Sequence, residues 1–79
     1  MLIHEATFTS ELREEAHERG HSTALDAARA AARAGAKQLL MVHFSNRYEG
    51  VERHLEEARR FFPHSYAAED LTKVLILKG

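Results

Sequence analysis

Residues 37–47 read KQLLMVHFSNR. Four apolar residues, Leu39 to Val42, follow a charged and an amide residue and give way at Ser45 and Asn46 to turn-prone ones. A short apolar run bounded in this way predicts a strand over residues 38–43 that is buried on both faces, the pattern of a parallel sheet. His43 then stands at the carboxyl end of the strand, where α/β folds gather ligands and reactive side chains.

Working outward, residues 24–34 are alanine-rich and preceded by Thr23, with Asp26 three positions on and Gly35 directly after. That is the signature of a capping box and a glycine stop, so a helix is predicted over 24–34. Ser22 is the competing cap. Asp26, Arg29 and Arg33 mark its wet face, and Leu25, Ala28 and Ala32 are expected to line the other. Upstream, Leu2 and Ile3 read as the tail of a strand, placed over residues 2–6, and residues 10–19 are expected to form a short, solvated helix or helical loop capped at Ser10 and stopped by Gly20. Strand, helix and strand make a β-α-β unit whose neighbouring strands should be parallel with a right-handed crossover. After the central strand, Val51, Leu55, Ala58 and Phe62 recur at helical spacing and Pro63 closes the pattern, so a second amphipathic helix is predicted over 51–61. A final strand is placed at residues 71–78, with a further short one at 65–68. The fold class is α/β, in the order β, short helix, α, β, α, β.

Composition limits the function classes. The 79 residues contain no cysteine, which excludes disulfides and thiolate metal ligands. The formal charge is −1 with both signs interspersed, so no basic field drives nucleic-acid or membrane binding by itself. No signal peptide or membrane span is expected, which predicts a cytoplasmic chain without a membrane partner. With no internal repeat or long linker, residues 1–79 are read as one small domain.

Histidine and carboxylate carry whatever chemistry there is. His4 and Glu5 end the first strand and Thr7 follows; the plain alternative is a surface histidine beside a surface acid. His21 precedes a helix N-terminus whose exposed N–H groups favour an anion such as phosphate, with Ser22 and Thr23 adding hydroxyls; the plain alternative is a loop residue before a cap. His43 is a strand-end ligand or a core histidine satisfied by a carbonyl. Parallel strands ending at His4 and His43, with a helix starting after His21, bring three imidazoles to one edge. His17 and His21 have HxxxH spacing, but Gly20 between them argues against a metal pair. His54 and His64 are read as surface residues.

HEATF at residues 4–8, HST at 21–23 and VHFSNRY at 42–48, in that order and at these intervals, resemble the motifs of ribonuclease Z, the tRNA 3′-processing endonuclease family of the metallo-β-lactamase superfamily. The similarity continues through FFP and AAEDL at residues 67–71, covering essentially the whole chain. The resemblance implies an αββα sandwich of which residues 1–79 are a partial domain, the carboxyl-terminal portion. It implies that His43 is a metal ligand in a two-zinc site, that His21 and Glu5 work together in proton transfer at the scissile phosphate, and that His4 and Thr7 support them. Ser22 and Thr23 belong to the HST motif, and Ser45, Arg47 and Tyr48 match the loop after the metal histidine, where substrate contact or packing is expected. Precursor tRNA is the implied substrate and a homodimer the implied assembly.

The family's HxHxDH motif, a further histidine, the bridging aspartate and the arm that grips tRNA have no counterpart here. A catalytic zinc takes three or more protein ligands, so the isolated chain is expected to be inactive and not to hold zinc alone. The rival reading is a non-catalytic α/β interaction module, or the complementing half of a split metallo-hydrolase.

Overall fold

In the computed structural model, residues 1–68 are described. Three strands lie side by side in the order β1, β2, β3: β1 (Leu2–Glu5), β2 (Leu39–Val42) and β3 (Ser65–Ala67). Both pairings are parallel, with Leu2 opposite Leu39 and Leu39 opposite Ser65. Each crossover is helical. Between β1 and β2 run a 3₁₀ turn (Ser10–Leu12), α1 (Arg13–Glu18) and α2 (Ala24–Ala34); between β2 and β3 runs α3 (Glu52–Phe61). The α/β class and the parallel β-α-β unit agree with the sequence. The strand expected at residues 71–78, with Leu75 and Leu77, lies outside the described residues, and the third strand of the sheet is the short segment after Pro63.

α2 has the bounds its local chemistry dictates. The Thr23 hydroxyl accepts from the Asp26 N–H at 3.1 Å while the Asp26 carboxylate accepts from the Thr23 N–H at 3.0 Å, and Gly35 takes the left-handed conformation at φ 68°. The buried stripe differs from the expected one. Ala24, Ala27, Ala28 and Ala31 are fully buried, Leu25 is half-buried and Ala32 is exposed. Four alanines in the i, i+3, i+4, i+7 pattern let the helix axis sit close to the sheet; Leu25 is displaced to the flank, where its N–H bonds to Glu57 of α3. The core is this stripe together with Ala6, Leu39, Met41 and Ala58.

The segment 10–19 is a short, solvated helical stretch as expected, with a different cap. Thr9, not Ser10, precedes the 3₁₀ turn, and the Ser10 hydroxyl is turned to Glu57 at 2.6 Å. α1 buries only Ala16, and Gly20, at φ 73°, ends it as expected. Phe62, the residue before Pro63, is extended at φ −137°, which stops α3. Glu56 and Arg60 pair across one turn at 2.6 Å, both exposed.

His54 contradicts its surface reading. It is fully buried on the inner side of α3, between the rings of Phe44 and Tyr48 at 4.8 and 4.5 Å. Its Nε2–H donates to the Thr7 carbonyl at 3.3 Å, and its Nδ1 has no partner among the described residues. The physical reason is position: His54 stands three residues after Val51 and four before Ala58, on the apolar stripe itself. His64 is exposed, as expected.

Candidate active and metal site

The carboxyl ends of β1 and β2 are adjacent because Glu5 pairs with Val42. One residue later His43 adopts φ 62°, a left-handed backbone uncommon outside glycine, with histidine among the residues that tolerate it best. Hydrogen bonds from Ala6 N–H to the Val42 carbonyl and from Ser45 N–H to the Thr7 carbonyl, both 2.9 Å, hold the chain on either side of it. The loop that ends α1 brings His21 to the same edge. Glu5, His21 and His43 thus converge, with one ligand atom from each lying within 4.8 Å of the others.

The pairings inside this cluster separate the roles. Glu5 Oε2 accepts from His21 Nδ1 at 3.1 Å, and Oε1 accepts from the Ser22 N–H at 2.8 Å. Burial pushes the Glu5 carboxyl up, but the His21 hydrogen bond and charge, the Ser22 N–H and the Thr7 hydroxyl outweigh it, leaving Glu5 below its ordinary value. An ionised carboxylate only accepts, so His21 carries its proton on Nδ1 and presents Nε2 to whatever approaches. His43 lies on the other side. Its Nδ1 is 3.1 Å from the Thr7 hydroxyl and 3.7 Å from Glu5 Oε2, and its ring stacks on His21 with centroids 5.4 Å apart. The side chains of Glu5 and His21 are 30% and 32% exposed and that of His43 is 64% exposed. The arrangement is a sheltered acid–imidazole pair beside an open imidazole.

The other sequence candidates fall around this centre. Thr7 touches both Glu5 and His43, and Ser22 contributes its backbone N–H. The His4 ring turns to the Glu5 carbonyl at 2.7 Å and Thr23 is engaged as the cap of α2. Ser45 contributes its N–H to Thr7. Arg47 forms a two-pronged pair with Glu15 at 2.9 and 2.6 Å and lies over the Phe8 ring, which is itself edge-on to His21. Tyr48 packs on His54, and its hydroxyl accepts from the Thr9 N–H at 3.0 Å. His17 pairs with Asp26 at 2.9 Å, well apart from the partners of His21, so the HxxxH spacing makes no metal pair.

One expectation is overturned. The N-terminus of α2 offers no exposed N–H groups to a phosphate: Ala24 donates to the Phe8 carbonyl at 2.9 Å, Leu25 to Glu57 Oε2 at 3.0 Å and Asp26 to the Thr23 hydroxyl. Phe8, His54 and Glu57 are the surrounding residues that the sequence reading missed. The spacing of His54 on α3 was a usable signal; Glu57 carried none, because its partners are far away in the chain.

Acid should weaken this region from two sides. Burial holds the His54 imidazole below its ordinary 6.5, against the Thr7 carbonyl, Glu57 and Glu11, which favour its charged form; Arg53 adds to the lowering. A group with a depressed folded value contributes stability above its unfolded value and loses it as pH falls toward the folded one. His54 therefore erodes stability from about pH 6.5 downward, and Glu5 adds to the loss below 4.5. Urea midpoints measured from pH 7.5 to 4 should fall steadily; a flat or rising profile between pH 7 and 5 would contradict the buried neutral His54.

No family model matches the chain. Among curated proteins, the Ribonuclease Z of Ignicoccus hospitalis is 80% identical over 78 residues, covering 99% of this chain and 26% of that protein. The Ribonuclease Z of Aeropyrum pernix is 51% identical over 78 residues (96% and 25%), and the Ribonuclease BN of Cronobacter sakazakii is 45% identical over 78 residues (96% and 26%). The chain spans about a quarter of the length of the curated relatives it matches. With 80% identity along nearly all of its length to one of these proteins, and 51% and 47% to others, the chain is homologous to about a quarter of ribonuclease Z.

Proposed function

We propose that this chain supplies the proton-transfer pair and one metal ligand of a zinc-dependent endoribonuclease that cleaves precursor tRNA at its 3′ end. The observation that carries the reading is the convergence of Glu5, His21 and His43. On this reading the three-stranded sheet and its helices are the carboxyl-terminal part of a metallo-β-lactamase sandwich, working in the cytoplasm and as a homodimer.

The donor set fits zinc in kind and falls short in number. Imidazole nitrogen and carboxylate oxygen are zinc donors. Both Glu5 oxygens are already taken by His21, Ser22 and Thr7, so the carboxylate is spoken for and His43 is left as the ligand. Zinc, when bound, would supply a Lewis-acidic centre that activates water and neutralises phosphodiester charge. Glu5 holds the Nδ1–H of His21, so Nε2 must first take up a proton from solvent; the imidazolium formed, stabilised by the Glu5 carboxylate, then hands the Nε2 proton to the leaving oxygen of the RNA. Thr7, touching both Glu5 and His43, keeps the pair and the ligand in register, and His4 braces the strand end. Ser45 and Tyr48 shape the loop, and Arg47 is linked to His21 through the Phe8 ring.

One ligand cannot hold a catalytic zinc, so the chain by itself is expected to bind zinc weakly and to leave precursor tRNA intact. A chimera in which this chain replaces the matching stretch of the Ignicoccus relative is expected to cleave it. Tight stoichiometric zinc on the 79-residue chain, measured by chelator competition, would overturn the ligand count. A folded chimera that leaves the RNA uncut would overturn the functional reading.

A further inference from the structure

The first turn of α2 is closed by an anion of the chain's own. Glu57, half-buried on α3, accepts three hydrogen bonds: from the Ser10 N–H at 2.8 Å and the Ser10 hydroxyl at 2.6 Å on Oε1, and from the Leu25 N–H at 3.0 Å on Oε2. Its two oxygens thereby tie together segments that already run side by side. Phe8 bridges Thr23 in parallel, with Phe8 N–H to the Ser22 carbonyl at 3.4 Å and Ala24 N–H to the Phe8 carbonyl at 2.9 Å. At one end of this short ladder Ser22 and His21 meet the Glu5 carboxylate. At the other end stands Glu57.

We propose that Glu57 is a positioning residue for the Glu5–His21 pair, acting through the ladder between residues 8–10 and 22–25. Two backbone hydrogen bonds, one of them long, are a weak hold on a loop that must deliver an imidazole to a carboxylate. A carboxylate placed at the positive end of α2 adds charge-assisted bonds and takes the place that an external anion would occupy. Glutamate suits the position because all three groups it meets are donors. Glutamine would turn its amide nitrogen toward one of them. The functional meaning of the inference rests on reading Glu5–His21 as the proton-transfer unit; its structural content does not.

The test is amide hydrogen exchange in the 79-residue chain at Ser22 and Leu25, referred to Ala31 in the middle of α2, in the native sequence, E57Q and E57A. In E57Q both Ser22 and Leu25 should exchange roughly 5- to 30-fold faster relative to Ala31, the range for losing about one charge-assisted hydrogen bond. In E57A, added acetate should slow Leu25 and Ser22 again in a saturable way. Acceleration of Leu25 alone would make Glu57 only a helix cap, and equal acceleration of all three would make it only a general stabiliser; either overturns the proposal. Should both variants unfold, the native chain decides. Its Ser10, Leu25 and Ser22 amide shifts must all follow the titration of the Glu57 carboxyl carbon, and a Ser22 shift that ignores it overturns the proposal. None of these measurements involves zinc or RNA, so an inactive chimera and an unmoved Ser22 amide are separate failures.

Discussion

M41A is expected to lower the unfolding free energy by about 3–5 kcal/mol, the upper part of the range for removing a buried methionine side chain. Met41 is fully buried in the central strand, with Ala6, Ala24, Ala27, Ala28, Ala31, Leu39 and Ala58 as its cluster. Six of these seven are alanines, which have no side-chain length with which to fill the space left behind, and the longer Leu2, Phe44, Leu55 and Phe62 pack only around the edge of the cluster, partly exposed. The cavity therefore stays open, and its cost adds to the lost transfer free energy. A chain of this size has little stability in reserve, so the variant should show no native baseline in urea at 25 °C, or a midpoint far below the parent's. I3T provides the contrast: Ile3 is 63% exposed, and its replacement should stay within about 0.5 kcal/mol. A loss below about 1 kcal/mol for M41A would mean that the strand does not sit in the alanine-lined core.

H21A is expected to cut precursor-tRNA cleavage by the chimera about 10²- to 10⁴-fold at saturating substrate, the usual worth of a positioned acid–base group. His21 is bound to Glu5 through Nδ1 and only stacked beside His43, so its removal should spare the metal ligation proposed for His43. H43A should lower the zinc content as well as the rate. Single-turnover cleavage alongside metal analysis separates the two. A threefold effect or less for H21A, or an equal loss of zinc in both variants, would remove the division of labour between the sheltered pair and the open imidazole.

What the sequence disclosed follows from how far apart the deciding residues are. α2 was legible to the residue because its start and stop are local chemistry, Thr23 with Asp26 at one end and Gly35 at the other. β2 was legible to within one position at each end; it closes at Val42 because His43 turns left-handed. The phase of the α2 stripe was not legible, since a helix so rich in alanine has little contrast around its circumference. His54 was misread by residue type although its spacing placed it on the apolar side. The phosphate seat expected before α2 failed for a different reason: its N–H groups are used up by Phe8, Thr23 and a glutamate 32 positions beyond Leu25. Topology led to His4, His21 and His43 at one edge; His21 and His43 do meet there, but Glu5 takes the third place, as the family resemblance implied, and the His4 ring turns to the Glu5 carbonyl instead.

The parallel pairing of the described strands also fixes when the site can exist. Leu2 reaches Leu39, and Leu39 reaches Ser65, only after an entire helical crossover has been closed in each case. No hairpin among these pairings offers a quick local nucleus, and loop closure must precede the contacts that reward it. The helices are therefore expected to form early and the strand register late, with His43 meeting Glu5 among the last native contacts. In a refolding experiment helical circular dichroism would recover before the His21–His43 ring contact, and the site itself would serve as the clock for the final step.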